Sequence, residues 1–291
     1  MLTVDKVEKS FGDNNVLKGI SFSVNKGQIF GLIGKNGVGK ITLINIIAGL
    51  SSADSGTCRI DDQVITVSNK SLSIGYLPDS PNFFEYLTCG EYLDFLLMEN
   101  HSERRKKLLD LVELMPDTKI STMSRGMRQR LGIAAAIIGD PDIVLLDEPT
   151  SALDPSGRAD VARILVDLKG MGKTIILSTH ILTDMEKVCD SVGFLSDGII
   201  AKALDIKELD KGGKHIFVSI DGNMVNELFF NKEDIPYEIM KDGTFRFDLG
   251  EDHNLEKQQA LFKSLSGLNV RIDSIHSEVG TLDKIFQEVC R

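Results

Sequence analysis

Two short stretches of this chain carry residue types whose spacing does chemistry. The first is Gly34-Lys35-Asn36-Gly37-Val38-Gly39-Lys40, set between an apolar strand-like run and the apolar helical run Thr42–Leu50. Glycines let backbone N–H groups turn inward around an anion, and the following helix adds the positive end of its dipole. Lys40 then reaches the β- and γ-phosphates of a bound nucleotide. A Gly-rich turn without a ligand accounts for the glycines but not for the lysine and helix placed behind them. The second stretch is Ile143-Val144-Leu145-Leu146-Asp147-Glu148-Pro149, an apolar run closed by two carboxylates. A buried strand explains the run, and its end presents the acids to a ligand. Asp147 fits a carboxylate linked to Mg²⁺. Glu148 is placed to polarise an attacking water as general base.

One position breaks the first pattern. After the lysine, a phosphate loop needs Ser or Thr, whose hydroxyl ligates Mg²⁺. Here that residue is Ile41, which has no ligand atom. Thr42 follows, but one step along a helix turns about 100° away. A local adjustment of the loop, water in the missing ligand position, and weaker metal binding are all compatible with the sequence.

Two further segments are ambiguous alone. Ser124-Arg125-Gly126-Met127-Arg128-Gln129-Arg130 opens a helix that then turns apolar, with Ser124 resembling an N-cap. An ordinary capped helix and an anion site at its N-terminus both fit. His180 closes Thr174-Ile175-Ile176-Leu177-Ser178-Thr179. After a core strand in a phosphate-binding fold, it is placed to contact a γ-phosphate or the water.

Elements of an α/β protein must position these residues. Strands are expected at Ile20–Val24, Gln28–Ile33, Ile74–Leu77, Ile143–Asp147, Thr174–Ser178 and Val192–Leu195. Between Ser80 and Gly139, helical patterns replace strands, at Cys89–Glu99, Ser102–Leu114 and Arg125–Ile138, which reads as a helical insertion of about residues 80–139. The first domain is expected over residues 1–210. Lys211-Gly212-Gly213-Lys214 reads as a linker to a C-terminal accessory domain over 213–291. There His215–Ile220, Pro236–Met240, Thr244–Leu249 and Asn269–Ile275 read as strands. Asn223–Phe230, Asn254–Leu265 and Leu282–Val289 read as helices, and Asp242-Gly243 as a hairpin turn. The order βαββαβ is the ferredoxin-like pattern.

Bulk properties narrow the partners. The 291 residues are 42% hydrophobic, enough to bury a core, and the net charge is −10. An acidic chain gains little from phosphate-backbone attraction, so no nucleic-acid partner is expected. Cys58, Cys89, Cys189 and Cys290 form no CxxC pair, which suits a reducing cytosol and supports no zinc site. No apolar run approaches the length of about 20 residues that spans a membrane, so any action at a membrane is expected to need another chain.

Taken together, these segments resemble the ATP-binding cassette (ABC) family over about residues 1–205. The order is phosphate loop, Tyr76-Leu77-Pro78, the Ser124 segment, Leu145-Leu146-Asp147-Glu148-Pro149, Ser151-Ala152-Leu153-Asp154 and Ser178-Thr179-His180. The resemblance implies a P-loop NTPase fold: a RecA-like core, an N-terminal antiparallel β-subdomain and a helical subdomain. It implies ATP and Mg²⁺ as ligands, and two cassettes that sandwich two ATP molecules. Ser124 and Gly126 of one copy would close over the phosphate loop of the other, and Asp154 would communicate across that dimer. By the same likeness Phe11 sits where an aromatic stacks on adenine, although a core or edge Phe is also consistent. The family usually has Gly at Arg125, Gln at Met127, and Gln or Glu at Asp79, which is shorter and leaves its role near Mg²⁺ or water open. The Tyr76–Asp79 and Ser124–Arg130 segments resemble export-type subunits.

The expected function is therefore the ATP-hydrolysing subunit of a transporter, on the cytoplasmic face of the membrane beside a separate permease. A soluble cassette protein outside transport and a catalytically weak regulatory cassette, motivated by Ile41, are the alternatives.

Overall fold

The computed structural model describes residues 1–68, 74–97, 102–209, 215–221, 235–240, 244–248, 255–266, 271–277 and 282–289. The chain divides into two compact units, Met1–Leu204 with Phe286–Arg291, and Asp205–Ile285.

The first unit begins with β1 (Leu2–Phe11), β2 (Asn14–Val24), β3 (Ile29–Ile33), α1 (Lys40–Ile47), β4 (Ser55–Ile60), β5 (Gln63–Val64) and β6 (Ile74–Leu77). Three helices follow: α2 (Cys89–Leu97), α3 (Ser102–Val112) and α4 (Arg125–Ala136). Then come β7 (Ile143–Asp147), α5 (Pro155–Gly170), β8 (Thr174–Thr179), α6 (Leu182–Val188), β9 (Ser191–Ser196) and β10 (Ile199–Asp205). One sheet has the order β10-β9-β3-β8-β7-β6, in which β9–β3, β3–β8, β8–β7 and β7–β6 are parallel pairs. A second, antiparallel sheet has the order β2-β1-β4-β5.

Every residue of β3, β7 and β8 is buried. That is the requirement of parallel strands covered on both faces, and it is why their sequences are nearly unbroken apolar runs. One core joins the two sheets: Leu17 and Ile20 of β2, Leu43 and Ile47 of α1, Leu145 of β7 and Ile176 of β8 belong to the same cluster. Each such side chain contributes about 1.5–3 kcal/mol by leaving water. The expected helix from Thr42 starts two residues earlier, at Lys40, and ends at Ile47 rather than Leu50. Gly49, at φ 69°, turns the chain away there.

Register places the chemistry. Ile33 at the end of β3 pairs with Thr179 at the end of β8, and Asp147 at the end of β7 pairs with Ser178. The carboxyl ends of three adjacent strands thus bring the phosphate loop, the two acids and His180 to one edge, where open α/β sheets bind ligands.

The second unit contains α7 (Ile206–Leu209), β11 (His215–Asp221), β12 (Tyr237–Ile239), β13 (Phe245–Asp248), α8 (Leu255–Ser266) and β14 (Arg271–Ser277), and α9 (Leu282–Val289) begins in it. Its sheet order is β12-β13-β11-β14, with β12–β13, β13–β11 and β11–β14 each antiparallel. Val218, Phe245 and Phe247 of the sheet and Leu261 and Leu265 of α8 share a separate core. The expected linker at 211–214, helix Asn223–Phe230 and turn Asp242-Gly243 lie outside the described residues.

Candidate nucleotide-binding and hydrolysis site

The phosphate loop is shaped by close backbone approach. A side chain on Gly34 would sit 2.6 Å from the Leu195 carbonyl oxygen of β9. Gly39 has φ 109°, and a Cβ there would meet Leu17 Cδ2 at 2.8 Å. Gly39 caps α1 without any side-chain hydrogen bond, and the first turn of α1 holds no acid. Its free N–H groups and positive dipole end are therefore uncompensated by the protein, as an anion site requires. Lys40 is 7% exposed, and its Nζ donates to the carbonyl oxygens of Gly34 (2.7 Å) and Lys35 (3.3 Å).

A cavity of about 370 Å³ opens over this loop. Asn36, Gly37, Gly39, Lys40, Ile41 and Thr42 of the loop and helix start line it. Asp79, Asp147 and Glu148 line it as well, as do Phe11 and Val16. Three expected loop residues do not line it. Gly34 packs under β9, Lys35 offers its carbonyl to Lys40, and Val38 packs against the core beneath. Ile41 and Thr42 both reach the cavity, so the one-residue helical step does not take Thr42 away from it. Ile41 is 53% exposed and packs into no core.

The two acids are held differently. Asp147 is buried, and its Oδ1 accepts a hydrogen bond from Ser178 Oγ at 2.5 Å. Burial raises its pKa, the Ser178 bond opposes that rise, the Glu148 and Asp79 carboxylates add to it, and Lys40 opposes it. Glu148 sits in the left-handed region, at φ 50°, which turns its side chain off the strand line. Its backbone N–H donates to Ser178 Oγ (3.0 Å) and to the Ser178 carbonyl (3.2 Å). Its Oε2 lies 2.8 Å from His180 Nδ1, and its Oε1 lies 3.5 Å from Lys40 Nζ. Among the described residues Oε1 has no hydrogen-bond partner. Oε1 is buried against Lys40, so the carboxylate is fixed from two sides at the cavity over the phosphate loop, where it is placed to act as a proton acceptor.

Sequence reasoning did not single out Ser178 as part of the site. Its one hydroxyl joins both acids, donating to Asp147 and accepting from the Glu148 amide. The available signal was a hydroxyl inside an otherwise apolar buried strand, which demands a buried partner.

Ser124, Gly126 and Asp154 line a second cavity, of about 360 Å³, with Arg125 and Leu153. None of these three lines the cavity over the phosphate loop. Ser124 caps α4 by accepting from the Met127 N–H at 3.2 Å, as its sequence position suggests. Asp154 caps α5 in the same way, accepting from the Gly157 N–H at 3.0 Å.

A family model described as ABC transporter matches residues 17–151, which contain the phosphate loop, the Ser124 segment and both acids. An ABC transporter ATP-binding protein of Synechocystis is 34% identical over 93% of this chain and 77% of its own length. The chain belongs to the ABC transporter ATP-binding proteins. A second relative of this ABC family, the linearmycin resistance ATP-binding protein LnrL of Bacillus subtilis, is 28% identical over 98% of the chain and 97% of its own length. Among solved structures, a dimeric ATP-binding cassette in a post-hydrolysis state with ADP and Pi is 25% identical, with a TM-score of 0.64. It covers 71% of this chain and 99% of the other. The ABC protein is accordingly an ATP-binding, ATP-hydrolysing transporter subunit with the P-loop NTPase fold expected from its sequence.

Proposed function

We propose that the cavity over the phosphate loop binds ATP with Phe11 stacked on the base, the loop and Lys40 on the phosphates, and Glu148 on the attacking water. The observation that carries this reading is the Glu148 carboxylate, held between His180 Nδ1 and Lys40 Nζ at the cavity over the phosphate loop. His180 orients the base. Ser178 fixes where both acids point. Replacing Glu148 by Gln keeps the contacts around the phosphates and removes the proton acceptor, so ATP binding should persist while turnover is lost. A Glu148→Gln protein with near-normal turnover would sink the assignment.

Mg²⁺ fits this site only in part. Asp147 is a buried acid beside two other carboxylates, an arrangement that a cation would relieve. No group of three or more acidic, His or Cys side chains that could hold a metal ion occurs among the described residues. Asp147 would supply one ligand directly or through water, with Asp79 near, and phosphate and water oxygens would complete the shell. The ion would neutralise charge on the phosphate oxygens. Ile41 contributes no oxygen, and Thr42, which lines the same cavity, has the nearest hydroxyl in sequence.

The separation of the Ser124–Gly126–Asp154 cavity from the phosphate-loop cavity supports a site completed by a second copy, homologous or identical. Its Ser124 segment would face the nucleotide held by this one, and Asp154 would lie between them. The membrane partner is a permease. No helix among the described residues is long and apolar enough to cross a membrane. Phe84, Tyr86 and Phe95 form an exposed aromatic patch beside α2, with ring centroids 5.4–5.8 Å from Phe84. Such a patch suits the apolar face of a permease helix presented at the cytoplasmic surface of the membrane. Export is the direction favoured by the Tyr76–Asp79 and Ser124–Arg130 segments and by the resistance-associated relative. Residues 1–210 form the ATPase domain in this reading, with the helical subdomain at about 80–139. Residues 213–291 form a ferredoxin-like accessory domain.

A further inference from the structure

An aromatic ring that stacks on a base must be held in place before the base arrives, or binding has to supply the ordering. Phe11 is 57% exposed at the last position of β1, with no core around it to fix its ring. We infer that Lys9, anchored by Asp54, is a positioning residue that holds the Phe11 ring as a platform for the nucleotide base. The inference rests on the reading of Phe11 as that platform.

The Lys9 ammonium lies 5.6 Å from the centroid of the Phe11 ring, within cation–π range. Lys9 is not a wandering surface lysine, since its side chain is only 15% exposed and its Nζ lies 2.7 Å from Asp54 Oδ1. Asp54 in turn is tied to three consecutive residues ahead of Phe11. Its N–H donates to the Glu8 carbonyl at 2.9 Å, its Oδ1 takes the Lys9 bond, and its Oδ2 accepts from the Ser10 N–H at 2.7 Å. The strand pairing of β1 with β2 shifts register between Lys9 and Ser10, and the Asp54 carboxylate takes up the Ser10 amide at that irregularity. The Lys9 bond and then the Ser10 amide hold the Asp54 carboxyl below its ordinary range, so it stays ionised.

Phe11 lines the cavity over the phosphate loop and Lys9 does not. The Lys9 ammonium is thus near the ring without forming part of the cavity lining, which leaves the cavity open to a base. Charge near the ring and an electron-rich purine stacked on it also reinforce each other electrostatically. Lys9 touches no phosphate in this arrangement. Its effect should appear only in ligands that carry a base.

The test compares ATP with inorganic tripolyphosphate, which has the phosphates and no base, by calorimetry on the full chain. Lys9→Met keeps most of the aliphatic stem and removes the charge. It should weaken ATP binding about two- to fivefold and leave tripolyphosphate binding unchanged. KM for ATP should rise by the same factor while kcat holds. Asp54→Asn, which loosens the anchor, should give the same pattern, and Lys9→Arg should restore binding. In a Phe11→Ala background, Lys9→Met should have no further effect. Equal weakening of tripolyphosphate, or full additivity with Phe11→Ala, would overturn the inference, because Lys9 would then act on the phosphates. If Phe11→Ala weakens ATP binding and Lys9→Met does not, the inference fails and the platform stands. If Phe11→Ala itself leaves ATP binding unchanged, the platform reading fails and takes the inference with it.

Discussion

Replacing Ile41 with threonine should raise ATPase activity and lower the Mg²⁺ requirement. Ile41 is the second residue of α1, lines the cavity with Asp79 and Asp147, and is 53% exposed without a place in the core. Removing it therefore leaves no internal void, and the folding cost should stay within about 0.5 kcal/mol, as for ordinary surface substitutions. What changes is the oxygen offered to the metal. A polar contact to a charged group is worth about 1.5–3 kcal/mol, and about 1.4 kcal/mol is a factor of ten. Half-maximal Mg²⁺ should thus fall about tenfold or more. Nucleotide affinity without metal should not move, because the loop amides and Lys40 carry it. Initial rates across a Mg²⁺ titration at saturating ATP, with calorimetric ATP binding in chelator, separate these effects. Parent and Ile41→Thr proteins with the same rate and the same metal dependence would refute the account of the missing ligand.

Ser178→Ala removes the hydroxyl shared by the two acids; it should lower stability by about 1–3 kcal/mol and reduce kcat more than ATP affinity, read by denaturant titration and steady-state kinetics. Asp147→Asn should raise the melting temperature of the nucleotide-free protein at neutral pH, since Asp147 has a raised folded-state pKa. Its ionisation costs stability, which is lost as pH rises from the ordinary Asp range through that raised value, so the gain from Asn should vanish near pH 3 in melts run across pH. Phe84→Glu or Tyr86→Glu should release the protein from membranes carrying its permease while basal ATPase remains, measured by membrane co-sedimentation. A chain ending at Asp210 should fold and bind ATP with the affinity of the full chain, because all the residues placed against phosphate precede it.

The chemistry was legible where it coincided with burial. β3, β7 and β8 read directly because strands covered on both faces carry unbroken apolar runs, and the residues that end them are the functional ones. The outer elements were harder. In β1, charges at Asp5, Lys6, Glu8 and Lys9 interrupt the run because one side of an antiparallel strand meets water. The helix α5 was not singled out, although Asp154 and Pro155 give it an N-cap and an N1 proline. Asp154 drew attention as a family residue instead. Ser178 could not be assigned a partner from sequence, since it acts through the neighbouring strand: Asp147 is 31 residues away in the chain and directly opposite in the sheet. The partition of Ser124, Gly126 and Asp154 away from Lys40 likewise follows from the packing of α4 and α5, not from any local pattern.

The central claim is that each site is built from the phosphate loop and acids of one chain and the Ser124 segment of another, which an identical copy can supply. Light scattering on the Glu148→Gln protein with ATP, with ADP and without nucleotide tests it most directly. The account predicts that the mass doubles with ATP alone, and that adding Ser124→Arg returns it to that of a single chain. A Glu148→Gln protein that binds ATP and turns it over no longer, yet keeps the mass of one chain at every ATP concentration, would contradict it.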